Sequence, residues 1–213
     1  MFPDNMTFSI AGWVNDGVDA LVSHYGDVFR HISDTLLWAI INLENLLRIT
    51  PWWLMLAIVG AIAWHATRKV LSTLVIVGLL FLVGAVGLWD KLMQTLALMM
   101  VATVISVVLG VPLGILAARN NRLRSVMMPL LDIMQTMPSF VYLIPVLMLF
   151  GLGKVPAIFA TVIYAVPPLI RLTDLGLRQV DREVMEAINA FGATPWQQLF
   201  GVQLPLALPS IMA

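Results

Sequence analysis

Long apolar runs separated by short polar segments make up most of the chain after residue 50. A helix of about 20 apolar residues crosses the hydrocarbon core of a bilayer, and somewhat shorter or longer runs do so with tilting or thinning. The pattern therefore predicts an all-α, polytopic membrane protein. Its predicted spans cover residues 51–66, 70–88, 92–118, 127–150 and 157–172, and an incomplete sixth span begins at residue 205.

Small residues recur at every fourth position along one face of the span 92–118. A face of this kind lets two helix backbones approach closely inside a membrane, so we expect it to pack against another helix. The small residues are Ala102, Ser106, Gly110, Gly114 and Ala118.

Prolines lie inside three of the predicted spans. A proline removes a backbone donor and crowds the preceding turn, which bends or ends a helix. We expect a kink at Pro112, interruptions at Pro138 and Pro145, and a break at Pro167-Pro168.

The first 50 residues differ from the rest of the chain in carrying six acidic groups against two arginines. We interpret this region as an acidic N-terminal tail. Its second half, residues 33–50, places leucines and isoleucine at helical spacing, and Glu44 and Arg48 would be costly at the centre of a bilayer. The pattern favours an amphipathic helix lying in the membrane interface, and a helix packed on the rest of the subunit explains it equally well.

Composition narrows the class of protein further. The chain is 60% hydrophobic and 11% charged, has no net charge and contains no cysteine. The charge balance argues against a nucleic-acid partner, and the lack of cysteine excludes thiolate metal sites and disulfides. His24, His31 and His65 do not have the spacing of a metal motif, so we predict no metal and no cofactor.

A polar segment, residues 181–205, interrupts the apolar pattern and contains the signals of two short helices joined by a turn. Asp181 is placed to cap a first helix through Ala190, and Gly192 supplies a left-handed stop. Thr194 is placed to cap a second helix, with Pro195 at the first helical position and glutamine three residues after the cap.

The spacing inside this segment resembles the EAA loop of ABC-importer permeases. The matching residues are Glu186, Ala187, Gly192, Leu204 and Pro205. Ile188 and Val202 depart from the family pattern, but both are apolar and preserve the packing face. Residues 134–158 and 167–180 are similar to the permease subunit of glycine betaine, proline betaine and choline importers, and the resemblance covers roughly residues 90–213.

The resemblance implies a type I, MetI-like permease fold in a bacterial inner membrane. It implies that the five matching residues couple the subunit to cytosolic ABC ATPase subunits, and that a second permease copy and an extracytoplasmic substrate-binding protein complete the importer. The chain has no G-x-x-x-x-G-K-[ST] phosphate loop. We therefore expect a non-enzymatic subunit that moves quaternary ammonium osmolytes while a partner hydrolyses ATP.

Lysines and arginines in short loops predict the orientation of the spans. With the segment 181–205 in the cytoplasm, the inner loops contain eight basic residues and the outer loops contain only Lys91 and Lys154. Counting back through five spans places the N-terminus outside.

A group of methionine, aromatic and amide side chains flanks Pro138 in the interrupted span. Aromatic faces suit a methylated cation, and broken helices often line transport pathways, although packing explains the same residues. The candidate pathway residues are Met134, Gln135, Met137, Phe140 and Tyr142. Asp132 lies one turn before Gln135, and a hydrogen bond between helices explains this polar pair as well as a pathway role does.

Two other functions remain open from the residues alone, namely an ion-coupled secondary transporter and a non-transporting membrane assembly subunit. The end of the sequence carries a further expectation. Eight residues after Pro205 extend about 12 Å as a helix, which is less than the roughly 30 Å of a hydrocarbon core. We expect a C-terminally truncated chain, or residues 206–213 that lie against a neighbouring subunit.

Overall fold

The computed structural model describes residues 10–212, and every regular element in this range is helical. The ten α-helices are α1 (Ile10–Ile49), α2 (Trp52–Thr67), α3 (Val70–Ala85), α4 (Trp89–Arg119), α5 (Asn121–Thr136), α6 (Ser139–Phe150), α7 (Lys154–Arg178), α8 (Arg182–Ala190), α9 (Pro195–Gln198) and α10 (Leu204–Ile211). A π-helical turn, Leu199–Gln203, joins α9 to α10.

Two of the described helices, α4 and α7, are long and apolar enough to cross a membrane alone. The count rises to four if each of two bent pairs forms one span, namely Asp19–Ile49 with Trp52–Thr67 and Asn121–Thr136 with Phe140–Phe150. Helix α3 is a shorter apolar helix of 16 residues.

The chain divides into two compact units. The first contains residues 1–101 and 152–155, and the second contains residues 102–151 and 156–213.

In the first unit, helix α1 is longer than the predicted amphipathic helix. It begins at Ile10 rather than near residue 33. No proline occurs between residues 10 and 49 to stop it. Ile40 and Glu44 of α1 are buried, and the Glu44 carboxylate pairs with Lys154 at 2.5 Å and with Arg48 at 3.0 Å. This part of α1 therefore packs on other protein elements.

In the second unit, α4 packs tightly against α7. A Cβ added to Gly110 would lie 2.8 Å from the Leu169 side chain, and one added to Gly114 would lie 2.5 Å from Cβ of Thr173. Ala102 and Ser106 on the same face are also buried. The predicted small-residue packing face is confirmed.

The prolines act differently from one another. The interruption predicted at Pro138 is confirmed, because α5 ends at Thr136 and Pro138 precedes α6. Pro145 lies within α6, so the second interruption predicted there is wrong. The break predicted at Pro167-Pro168 is also wrong, since α7 continues through both prolines. Pro167 is fully buried, and neighbouring protein can hold a helix together where its own hydrogen bonds are missing.

Candidate functional site

The first short helix of segment 181–205, α8, begins and ends as the sequence predicts. The Asp181 carboxylate accepts a hydrogen bond from the backbone N–H of Glu183 at 2.9 Å. At the other end Gly192 has φ of +72°, a conformation that costs a side chain with a Cβ. The backbone N–H of Gly192 donates to the Asn189 carbonyl at 3.0 Å. The predicted cap and left-handed stop are confirmed.

The second short helix, α9, has the predicted capping box. The backbone N–H of Thr194 donates to the Gln197 side chain at 2.8 Å, and the Gln197 N–H donates back to the Thr194 hydroxyl. Pro195 occupies the first helical position. Satisfying these otherwise orphaned groups stabilises a helix of only four residues.

A glutamine side chain ties the two short helices together. The Gln198 amide nitrogen donates to the Asn189 side chain at 2.7 Å and to the Ala193 carbonyl at 2.8 Å. Because one residue bridges α8, the turn and α9, the segment forms a braced element. We refer to residues 181–205 as the coupling loop, after the role that the resemblance to the EAA loop implies for it.

One apolar and one polar contact anchor the coupling loop to the neighbouring helices α4, α7 and α10. Leu199 is 2% exposed and packs in a cluster with Leu177 and Ala207. The Arg119 guanidinium at the end of α4 donates to the Pro195 carbonyl at 3.0 Å. In the sequence, Arg119 is simply one of the eight basic residues of the predicted inner loops, because its partner lies 76 positions away.

The coupling loop carries three large exposed aromatic side chains that were not among the predicted site residues. Phe191 is 91% exposed, and Trp196 and Phe200 stack with their ring centroids 5.5 Å apart while remaining largely exposed. The four-residue spacing of Trp196 and Phe200 was the available signal, since it places both rings on one helical face.

The five motif residues differ in burial. Glu186, Ala187, Gly192 and Pro205 are exposed, and Leu204 is half-buried against the Leu199 cluster. The Glu186 side chain makes no hydrogen bond or ion pair with any described residue, so its carboxylate is available to a partner. Exposed aromatic rings and an unpaired charge on one loop are suited to protein docking.

The candidate pathway residues are only partly brought together. The Tyr142 hydroxyl of α6 donates to the Met134 carbonyl of α5 at 2.6 Å, across the break at Pro138. Gln135, Met137 and Phe140 are exposed, with Phe140 at 76%.

Asp132 forms an ion pair with Arg171 of α7. This contact gives Asp132 the packing interaction that the sequence left as one of two explanations. In the described part of the chain, no group of three or more metal-ligating side chains is positioned to hold a metal ion.

The comparisons with known proteins concern the same part of the chain. Residues 110–213 match the model of a family described as the inner membrane component of binding-protein-dependent transport systems. The chain is 40% identical over 204 residues to the glycine betaine transport system permease protein OpuAB of Bacillus subtilis, with 96% of this chain and 72% of that protein covered. The chain belongs to this permease family.

Two further permease relatives have similar identity. The glycine betaine/carnitine transport permease protein GbuB of Listeria monocytogenes is 40% identical over 99% of this chain and 76% of its own length. The glycine betaine/proline betaine transport system permease protein ProW of Escherichia coli is 43% identical over 94% of this chain and 56% of its own length. The permease chain thus spans a little over half the length of ProW. The family places it among bacterial inner-membrane proteins.

Proposed function

We propose that this chain is the membrane-spanning subunit of an ATP-driven importer for quaternary ammonium osmolytes, and that its coupling loop docks on a cytosolic ATPase. The observation that carries the proposal is the loop itself. It combines the EAA spacing with two capped helices, an internal brace at Gln198 and an exposed face of Phe191, Trp196 and Phe200. A rigid element with an exposed aromatic face is suited to transmit the movement of a partner.

The anchors of the coupling loop determine where that movement would go. Leu199 joins the loop to α7 and α10 through Leu177 and Ala207. Arg119 joins it to α4. Closure of the ATPase subunits would therefore displace the ends of several helices together, which is what a change between inward and outward access requires.

The names of the relatives support a substrate class. Most specify glycine betaine, proline betaine, carnitine or choline, and two specify trimethylamine N-oxide. The first four compounds carry a quaternary ammonium group, so we propose a substrate of that chemistry. Met134, Gln135, Met137, Phe140 and Tyr142 are our candidates for the pathway, because an exposed ring such as Phe140 presents its π face to a cation.

For the assembly, we propose two permease copies, two ATPase subunits and an extracytoplasmic binding protein, with the N-terminus of the permease outside. Two contacts support this orientation, since each joins residues that the charge count places on the same side. Glu44 pairs with Lys154 on the proposed outer side, and Arg119 contacts Pro195 on the proposed inner side. A reporter fused after Arg124 should be cytoplasmic and one fused near Lys154 external. A cytoplasmic Lys154 would overturn the orientation and the docking role.

The decisive experiment uses two glycines of the coupling loop that differ in backbone conformation. Both have open space around them, but only Gly192 has positive φ. In cells that express the full-length permease, its ATPase and its binding protein, Gly192→Val should abolish glycine betaine uptake without loss of membrane insertion. Gly201→Val is the matched control and should retain most of the uptake.

Normal uptake by Gly192→Val at normal expression would show that the coupling loop is passive. Uptake that continues without the ATPase would instead indicate an ion-coupled carrier. A membrane assembly subunit without transport would give no uptake in any variant, including the unsubstituted chain.

A further inference from the structure

A buried carboxylate lies one helical turn before the end of α7. Asp174 is 2% exposed, and its two oxygens accept hydrogen bonds from Nε of Arg124 at 2.9 Å and from Nε of Arg178 at 2.8 Å. Burying a carboxylate is costly unless cations and donors compensate it. The two guanidinium groups provide that compensation and join α5 to α7.

The same network reaches a third helix. The terminal Nη2 atom of Arg178 donates to the Ala117 carbonyl of α4 at 3.1 Å and to the Asn121 side chain of α5 at 2.7 Å. One buried carboxylate thereby organises the ends of α4, α5 and α7. We call Asp174, Arg124, Arg178 and Asn121 the clasp.

The clasp is connected to the coupling loop by two routes. Helix α7 ends at Arg178, a member of the clasp, and the loop begins three residues later at Asp181. Arg119, two residues after Ala117, contacts the Pro195 carbonyl at the start of α9. The connection between α4 and α5 is consequently held by α7 on one side and by the loop on the other.

We infer that Asp174 is a positioning residue for energy coupling, which makes the ends of α4, α5 and α7 follow the coupling loop as one body. The inference rests on the proposed function and extends it from the loop to the helices that must move. Without the carboxylate, Arg124 and Arg178 repel each other. Displacement of the loop would then pull on α7 and leave α5, which carries Met134 and Gln135, behind.

A second ion pair on the same two helices provides a matched control. Asp132 of α5 pairs with Arg171 of α7, so it also ties these helices together. The Asp132 side chain is 63% exposed, however, and within the described residues neither member of this pair makes a side-chain hydrogen bond or ion pair to α4 or the coupling loop. If ion pairing between α5 and α7 were sufficient, both aspartates would matter equally.

The test measures glycine betaine taken up per ATP hydrolysed, with the full-length permease, its ATPase and its binding protein reconstituted in lipid vesicles. Asp174→Asn should lower this ratio by at least about fivefold, the lower end of typical coupling between sites, while ATP hydrolysis continues. Asp132→Asn should leave the ratio unchanged. A residue with a structural role alone would lower uptake and hydrolysis in proportion and leave the ratio unaltered, and that result would overturn the inference.

A second variant decides the matter if Asp174→Asn does not assemble. Arg124→Gln removes the ion pair that joins α5 to Asp174 and leaves Asp174 paired with Arg178, and the Arg124 side chain is 45% exposed, so this variant should assemble and lower the same ratio. An unchanged ratio in Arg124→Gln would overturn the inference. Failure of the unsubstituted complex to show ATP-dependent uptake would overturn the proposed function itself, which is a different outcome.

Discussion

Helices α3 and α7 are both apolar, yet they differ in burial. None of the 16 residues of α3 is buried, and Leu71 and Leu79 are largely exposed. In α7 even polar residues such as Thr173 and Asp174 are buried. Inside a bilayer, apolar side chains gain little by leaving lipid for protein. Hydrophobicity alone therefore does not decide which helix of this permease is buried.

Glycine substitutions should give the largest difference in stability between α3 and the contact of α4 with α7. A Cβ on Gly114 would meet Thr173 and the Ile170 carbonyl, whereas a Cβ on Gly78 of α3 meets nothing within 4 Å. We expect Gly114→Leu to destabilise the full-length protein in detergent by at least the roughly 1–3 kcal/mol typical of overpacking. Gly78→Leu should be neutral or stabilising, because leucine favours helix more than glycine does. Equal thermal midpoints for the two variants would remove the distinction.

Leucine gives an intermediate contrast. Leu177 of α7 is 8% exposed and Leu71 of α3 is 75% exposed. Leu177→Ala should lower the free energy of unfolding by about 2 kcal/mol. This value is near the low end of the range for buried leucines, because in the unfolded state the helix would remain in the membrane with this side chain in contact with lipid. Leu71→Ala should shift the thermal midpoint little. A comparable loss in Leu71→Ala would mean that α3 is covered by another subunit.

Threonine gives the smallest contrast. Thr194 caps α9 through its hydroxyl, whereas the Thr73 hydroxyl of α3 donates back to the Lys69 carbonyl at 3.1 Å. Thr194→Ala should lower the local stability of α9 by about 1 kcal/mol. The loss should be detected as faster hydrogen exchange of the amides in residues 194–198. Thr73→Ala should leave the exchange of α3 unchanged. Unaltered exchange in Thr194→Ala would show that Gln198 and Leu199 hold the coupling loop without the cap.

Local signals in the sequence were sufficient for the coupling loop. Caps and left-handed turns depend on residues within four positions of each other, so the roles of Asp181, Gly192 and Thr194 could be predicted from the sequence. The small-residue face of α4 could be predicted for the same reason, although the helix that packs against it could not. Leu169 and Thr173 lie far away in sequence, and no local pattern identifies them.

Tertiary contacts explain what the sequence did not reveal. The continuity of α7 through Pro167 and Pro168 depends on surrounding protein rather than on its own hydrogen bonds. No local pattern distinguishes Asp174, because its partner Arg124 is 50 residues distant. The charge count treated Arg119 and Arg178 as markers of orientation, whereas the structure gives both specific acceptors.

The most direct test of the docking role compares two exposed tryptophans. A photocrosslinking amino acid replaces either Trp196 of the coupling loop, 66% exposed, or Trp53 of α2, 57% exposed, in cells that express the ATPase. The proposed function predicts a crosslink to the ATPase from position 196 and none from position 53, which lies outside in the proposed topology. No crosslink from position 196, or equal crosslinks from both, would contradict it.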